Sequence, residues 1–312
     1  MVGIVILDYN NEEDTIKCIA SVVKNTVNAD YKMVVVENGS RETTIQAVAH
    51  YLKHNYKEYT IIEEKNATGA IASRFTLLIS QTNDGYAEGN NKALRLFDND
   101  DTIDTILILN NDILFTADII PSLSAFLNSH PDCGIVSPLL VKANEVDIDY
   151  NCARHDYKTM QFFWEYLFSF KNLFGIISKY EHEQKYLLNN PDLAKQDSFE
   201  IELPSGSCMM MNKAVFRDIG YFDNHTFLYF EENILYRKML KAGKRNFLIP
   251  TIKCIHLGAS TSKKSSSLFT MKCQMKSTAY YLRAYRNAPL AALYVEVMSY
   301  LTKLKLWIKE KP

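Results

Sequence analysis

An α/β fold, with a mostly parallel central sheet, helices on both faces and a helical C-terminal extension, is predicted by three observations. Aliphatic runs alternate with helix-like stretches along the first half of the chain, the runs are apolar throughout rather than at every second residue, and each ends in a polar cluster. Strands covered by helices on both sides bury both faces, so they lose the polar alternation of a half-exposed strand.

The first run, Val2 to Leu7, closes on Asp8, Tyr9 and Asn10 and is followed by Ile16, Ile19, Ala20 and Val23 at helical spacing. Met33 to Val36 closes on Glu37, Asn38, Gly39 and Ser40 before a helical stretch from Thr43 to Tyr56. Thr76 to Ser80 and Thr105 to Leu109 read as further strands, the second ending at Asn110, Asn111 and Asp112. Ligands of such sheets sit beyond the carboxyl ends of the strands, so these clusters are expected to converge at one rim. Residues 147 to 198 form an insertion, aromatic-rich from Met160 to Phe170, expected to shape an acceptor site. The α/β theme resumes from Glu202 to Ala214, and Ile249 to Ile255 is strand-like before His256. Residues 263 to 312 read as helical, with aromatics among several Lys and Arg. Such a basic helix either lies on an anionic membrane surface or packs on the main domain with a solvated basic face.

At 312 residues the chain holds one large domain, residues 1 to 262, plus that extension. An apolar fraction of 47% and 35 basic against 36 acidic residues describe a globular protein with no overall field for nucleic acid. The short apolar start without a basic lead reads as a buried strand rather than a signal peptide, and no run reaches the roughly 18 apolar residues of a spanning helix. Six dispersed cysteines without a CxxC pair read as reduced thiols of a cytosolic protein.

Four features have the composition for chemistry. Asn110-Asn111-Asp112 offers oxygen ligands for a hard cation bridging to phosphate, or is a plain turn or helix cap. Thr82 to Ala93, a glycine-bearing loop running into a helix, could present backbone N–H groups to a phosphate, or be a tight loop with an asparagine cap. Glu231 and Glu232 follow an aromatic stretch; an apolar setting and a like-charge neighbour raise a carboxyl pKa and suit a general base, whereas the plainer reading is an acidic first helical turn. His256 is a candidate metal ligand or phosphate contact, or a packed surface histidine.

Taken in order, Ile4 to Asn10, Val34 to Ser40, Asn83 to Asn91, Leu107 to Asp112, Ser205 to Met211, Gly220 to Asp223, Phe227 to Glu232 and His256 resemble the family-2 inverting glycosyltransferases of the GT-A fold, a Rossmann-like nucleotide-binding architecture. The resemblance covers residues 2 to 262 and points to the rhamnosyltransferase- and galactofuranosyltransferase-like branch. It implies a base and ribose pocket lined by Tyr9, Asn10, Glu37 and Asn38, and a donor loop with Asp84, Gly85 and Asn91. Asn110 and Asn111 would also face the donor. Asp112, with His256, would ligate Mg2+ or Mn2+ on the diphosphate, and Glu232 would stand for the catalytic aspartate, with Glu231 as the other candidate.

The implied partners are a dTDP- or UDP-linked sugar and a polysaccharide or lipid-linked saccharide acceptor of capsule, O-antigen or cell-wall synthesis. A homodimer and membrane-surface contact of the C-terminal helices stay open, as does a peripheral place on the inner membrane face rather than a purely cytoplasmic one. The chain departs from the family pattern at Glu37, commonly Asp, and at Glu231-Glu232-Asn233-Ile234, commonly Glu-Asp-x-Asp. That departure also allows a catalytically impaired sugar-nucleotide or glycan-binding module. A dinucleotide oxidoreductase is disfavoured because no GxGxxG follows the first strand.

Overall fold

The computed structural model describes residues 1–67, 69, 71–159, 161, 182–258 and 267–309. The aliphatic runs form strands and the stretches between them helices: β1 (Val2–Asp8), α1 (Glu12–Asn25), β2 (Tyr31–Asn38), α2 (Glu42–Asn55), β3 (Tyr59–Glu63), β4 (Phe75–Ser80), α3 (Gly85–Asp98) and β5 (Thr105–Asn110). Next come β6 (Ile113–Phe115), α4 (Ile120–Ser129), β7 (Cys133–Lys142), β8 (Ala153–Arg154), α5 (Tyr186–Asn189), β9 (Phe199–Ile201), β10 (Leu203–Pro204) and β11 (Cys208–Asn212). The chain continues through α6 (Lys213–Asp218), α7 (Glu231–Lys241), β12 (Arg245–His256), α8 (Ser267–Ala284) and α9 (Pro289–Lys309).

One ten-stranded sheet runs in the order β3, β4, β2, β1, β5, β11, β7, β12, β6, with β9 paired to β12. From β3 to β5 every pairing is parallel. β11 then enters antiparallel between β5 and β7, while β7 and β12 pair in parallel.

Both faces are apolar, as two-sided coverage requires. Ile4 and Ile6 pack with Cys18, Ile19 and Val22 of α1 and Val48 and Leu52 of α2. On the other face Val5 packs with Ala93, Leu94 and Phe97 of α3 and Met209 and Met211 of β11. Each such aliphatic side chain contributes roughly 1.5–3 kcal/mol by leaving water. A third cluster joins Phe230 and Ile234, at and within the start of α7, to Met275, Tyr281 and Leu282 of α8 and Ala292 and Val295 of α9. The helical extension is thus packed on α7. The cysteines are all unbridged thiols, five of them buried. The expected boundary at residue 262 and the aromatic run from Met160 to Phe170, apart from Gln161, lie outside the described residues.

Candidate active site

A cavity of about 360 Å3 opens at the carboxyl ends of β1, β2 and β5. Tyr9, Asn38, Gly85, Asn110, Asn111, Asp112 and His256 line it, with Tyr86, Ser207, Phe227, Tyr229, Phe269 and Thr270. Two glycines let its loops close. At Gly39 (φ +73°) an added Cβ would fall 2.4 Å from the Asn83 nitrogen, and at Gly85 (φ +81°) it would fall 2.1 Å from the Phe227 oxygen. The Tyr86 N–H donates to that same oxygen at 2.9 Å, fastening the start of α3 to the segment before α7.

Sheet pairing brings Asp112 and His256 together. β12 runs antiparallel to β6 with His256 opposite Ile113, and the Leu257 N–H donates to the Asp112 carbonyl at 2.9 Å. His256 Nε2 then lies 3.3 Å from Asp112 Oδ2, while Nδ1 meets Asp149 Oδ2 at 2.7 Å. Burial alone would lower the imidazole pKa, but the bonds to Asp112 and Asp149 outweigh it and push the ring up to about 9. For Asp149 burial acts upward, and the His256 bond and the Asn151 N–H hold the carboxyl below its usual range.

A carboxylate behind a histidine is the arrangement that orients an imidazole toward a metal. Among the described residues no three His, Cys, Asp or Glu side chains are grouped as an ion cage. Asp112 and His256, both facing the cavity, are the side chains that could hold a divalent cation there.

The second group sits at the start of α7. Tyr229 (φ +72°) and Phe230 (φ +73°) are successive left-handed residues, a conformation costing bulky side chains roughly 1–3 kcal/mol each. Phe230 is held in the third apolar cluster, and the kink sets Glu231 and Glu232 as the first residues of the helix, where its dipole favours negative charge. The Glu231 Oε1 has no hydrogen-bond partner, and burial, followed by the Glu232 charge, pushes the carboxyl up to about 8. Glu232 Oε1 accepts the Gly206 N–H at 3.1 Å and lies 3.5 Å from Arg154 Nη2. The Tyr86 hydroxyl donates to the Gly206 carbonyl at 2.7 Å, and Asn110 Nδ2 donates to the Ser207 hydroxyl at 3.3 Å. The turn from Ser205 to Ser207 thus links Glu232 to the cavity.

The remaining candidates sit around the rim. Glu37 and Asp8 are register partners at the ends of β2 and β1, both wholly buried. Burial raises Glu37 to about 8, with the Asp8 charge adding to it, and raises Asp8 to about 6 against its bonds to Thr15 and Glu37. Asn111 Nδ2 donates to Asp8 Oδ1 and to Thr15 Oγ1, both at 2.9 Å. Asn10 is drawn to the β2 turn, its Oδ1 accepting the Arg41 N–H at 2.8 Å. Asp84 pairs with Lys92 at 2.5 Å; against the upward effect of burial, that lysine holds its carboxyl low. Asn91 lies inside α3, bonded to both backbone groups of Phe222. Asn10, Glu37, Asp84 and Asn91 are therefore not brought into the cavity wall, and Glu231 and Glu232 do not line it either, Glu232 meeting it only through the Ser205–Ser207 turn.

Sequence reasoning missed Asp149, Arg154, Tyr86, Gly206, Phe269 and Thr270. No local signal marks Asp149 or Arg154, whose partners lie far along the chain. Tyr86 sits within the glycine-bearing stretch, and a tyrosine next to the pivotal glycine is the signal that could have found it.

Residues 3–220 match the glycosyl transferase family 2 domain. A curated relative, the low-salt glycan biosynthesis hexosyltransferase Agl10 of Haloferax volcanii, is 24% identical over 230 residues, 74% of this chain; the match spans 58% of that relative's length. Among solved structures, the mannosyltransferase PcManGT of Pyrobaculum calidifontis, in complex with GDP-Man and Mn2+, superposes with a TM-score of 0.57 at 15% identity, covering 94% of this chain and 69% of that one. GalNAc-T7 with UDP, GalNAc and Mn2+ gives 0.60 at 12% identity, over 91% of this chain and 47% of that one. TarS 1–349 of S. aureus in complex with UDP gives 0.52 at 13% identity, over 96% and 69%. At these identities the likeness is one of fold, and it is GT-A-like.

Proposed function

The chain belongs to glycosyl transferase family 2, and from that premise we propose that it is an inverting glycosyltransferase moving a sugar from a nucleoside-diphosphate sugar to a saccharide or lipid-linked saccharide acceptor. The convergence of the Asp112–His256 pair and the Glu232 turn on one sheet rim carries this reading. The rhamnosyltransferase- or galactofuranosyltransferase-like branch, a dTDP- or UDP-linked donor and a role in cell-envelope polysaccharide synthesis are our finer reading, supported by the ordered motifs.

In this reading Tyr9, Asn38 and the Gly85 turn border the donor, and Asp112 and His256 face its diphosphate, with Asp149 orienting the imidazole. A divalent cation held by these two side chains would neutralise charge developing on the departing nucleoside diphosphate. Glu232 takes the proton from the acceptor hydroxyl as that oxygen bonds to the anomeric carbon from the face opposite the leaving phosphate oxygen. One displacement inverts the centre. Glu232 is preferred over Glu231 because its carboxyl meets the Gly206 N–H of the turn that borders the cavity, whereas Glu231 is buried with its carboxyl pushed up to about 8. The changed residues after the pair have structural roles: Asn233 Nδ2 donates to Asp156 Oδ1 at 2.8 Å, and Ile234 packs against the C-terminal helices. Neither replaces a group the base requires, which favours an enzyme over an impaired binding module.

Transfer and hydrolysis assays with UDP- and dTDP-sugars, with and without Mn2+, test the proposal. Wild type should release nucleotide in a Mn2+-dependent manner, and Glu232→Gln should bind donor normally yet turn over about 10^2–10^4-fold more slowly. Calorimetry detecting no binding of any nucleotide sugar would sink it.

A further inference from the structure

The described residues contain one long helix with an apolar face on each side. In α9, Ala292 and Val295 are buried against α8, and Ala288, Ala291, Tyr294 and Met298 pack around them. Leu290, Leu293, Val297, Tyr300 and Leu301 recur at intervals of three, four, three and one, so they share the opposite stripe, and they are 45% to 81% exposed. A contiguous exposed apolar stripe of this kind marks a surface that docks.

Charge identifies the occupant. Residues 263 to 312 hold ten of the chain's 35 Lys and Arg but two of its 36 Asp and Glu, so a strongly basic extension is joined to an acidic main domain. Lys272, Lys276 and Arg283 are exposed on α8, and the sequence after the stripe adds Lys303, Lys305, Lys309 and Lys311. A second copy of this segment would meet that excess with its own positive charge. An anionic lipid surface would be attracted by it while accepting the leucines and the tyrosine at the headgroup boundary. No helix among the described residues is long and apolar enough to cross a membrane, so the contact is along the surface.

We propose that the outward face of α9, from Leu290 to Leu301, lies on an anionic membrane surface and holds the protein there. The inference does not use the glycosyl-transfer reading, so either can fail without the other.

Flotation of the full chain with phosphatidylcholine vesicles, with and without phosphatidylglycerol, tests it. Binding should need the anionic lipid and weaken about tenfold or more when salt rises from about 0.1 to about 0.5 M. Leu293→Glu/Val297→Glu should lower partitioning about tenfold or more with an unchanged circular-dichroism spectrum. If that variant does not fold, Lys303→Gln/Lys305→Gln/Lys309→Gln replaces it, with the same loss expected. Equal binding to neutral vesicles, or no binding to either, overturns the proposal. So does a dimer in sedimentation that Leu293→Glu/Val297→Glu converts to monomer while the wild type ignores vesicles, since a second copy would then cover the stripe.

Discussion

Replacing Glu231 by glutamine should change how stability responds to pH in a direction opposite to that of most carboxylates. In the unfolded chain this carboxyl titrates near its ordinary value of 4.5, and in the folded protein burial first and the Glu232 charge second move it to about 8. Between those values the native state keeps a proton that the unfolded state releases, so unfolding free energy falls as pH rises. Each pH unit in that window removes about 1.4 kcal/mol, which amounts to roughly 3 kcal/mol at neutral pH and roughly 5 kcal/mol once pH passes 8. The substituted glutamine cannot ionise, but its amide needs partners where Glu231 Oε1 already has none, which costs about 1–3 kcal/mol at every pH. The variant should therefore be no more stable than wild type near pH 5 and should overtake it as pH rises toward 9. Urea denaturation of both proteins at half-unit intervals gives the difference curve, in which titrations common to both, such as those of Asp8 and Glu37, cancel. A difference that stays flat across this range would refute the buried, protonated state of Glu231, and a loss of turnover like that of Glu232→Gln would refute the assignment of the base.

The other predictions concern the cavity and its supports. Because His256 holds its proton up to about 9, ligating a cation requires displacing it, so Mn2+ affinity should rise about tenfold per pH unit from 6 to 8; calorimetry in two buffers of different ionisation enthalpy reads the released proton. Asp149→Asn should weaken Mn2+ binding about 10–100-fold with the fold intact, and unchanged affinity would deny that Asp149 orients the ring. Asp156→Ala strips the shared partner from Arg237, Arg286, Tyr281 and Asn233 and should cost about 3–5 kcal/mol in denaturant unfolding; a loss under about 1 kcal/mol would show the network to be dispensable. Gly85→Ala forces a Cβ against the Phe227 carbonyl and should weaken binding of donor nucleotide more than it lowers melting temperature.

How legible each part was depends on the range of the physics that fixes it. β1, β2, β4 and β5 were readable because two-sided burial writes itself as an unbroken aliphatic run, and the observed strands exceed the expected ones by only a residue or two at their ends. The meeting of Asp112 with His256 was legible as order along a family pattern, whereas the force that brings them together, antiparallel pairing of β6 with β12, has no local signature. Asn91 shows a different failure. The stretch from Thr82 to Ala93 reads as a glycine-bearing loop running into a helix, with no signal for where one becomes the other; the helix begins at Gly85, so Asn91 falls nearly two turns inside α3 and is spent on the Phe222 backbone. Glu231 and Glu232 form the acidic first turn of their helix, the plainer of the two sequence readings. Their burial differs because Phe230 and Ile234 face the C-terminal helices, a contact between segments some fifty residues apart.

Asp112 is the one carboxyl among the described residues that line the cavity, and the acids on the elements around it carry less negative charge than their number suggests, for two reasons. Glu37 and Glu231 are held protonated at neutral pH by burial, each beside another carboxyl, so each pair carries fewer negative charges than its residues suggest. His256 is held charged between Asp112 and Asp149, which offsets part of that pair. Arg154 stands 3.5 Å from Glu232 and does the same there. The family's commoner aspartates would shorten the side chains at positions 37 and 232. At 37, a glutamate lets the longer carboxyl reach back under β1 toward Asp8 rather than into the cavity, so the departure from the pattern is matched by a buried partner and not by a gap in the wall. At 232, the longer side chain spans the distance to the Gly206 N–H, which fixes one of its oxygens. Both departures are thus accommodated by contacts supplied by this chain, and burial and ion pairing together keep the charge of these acids low.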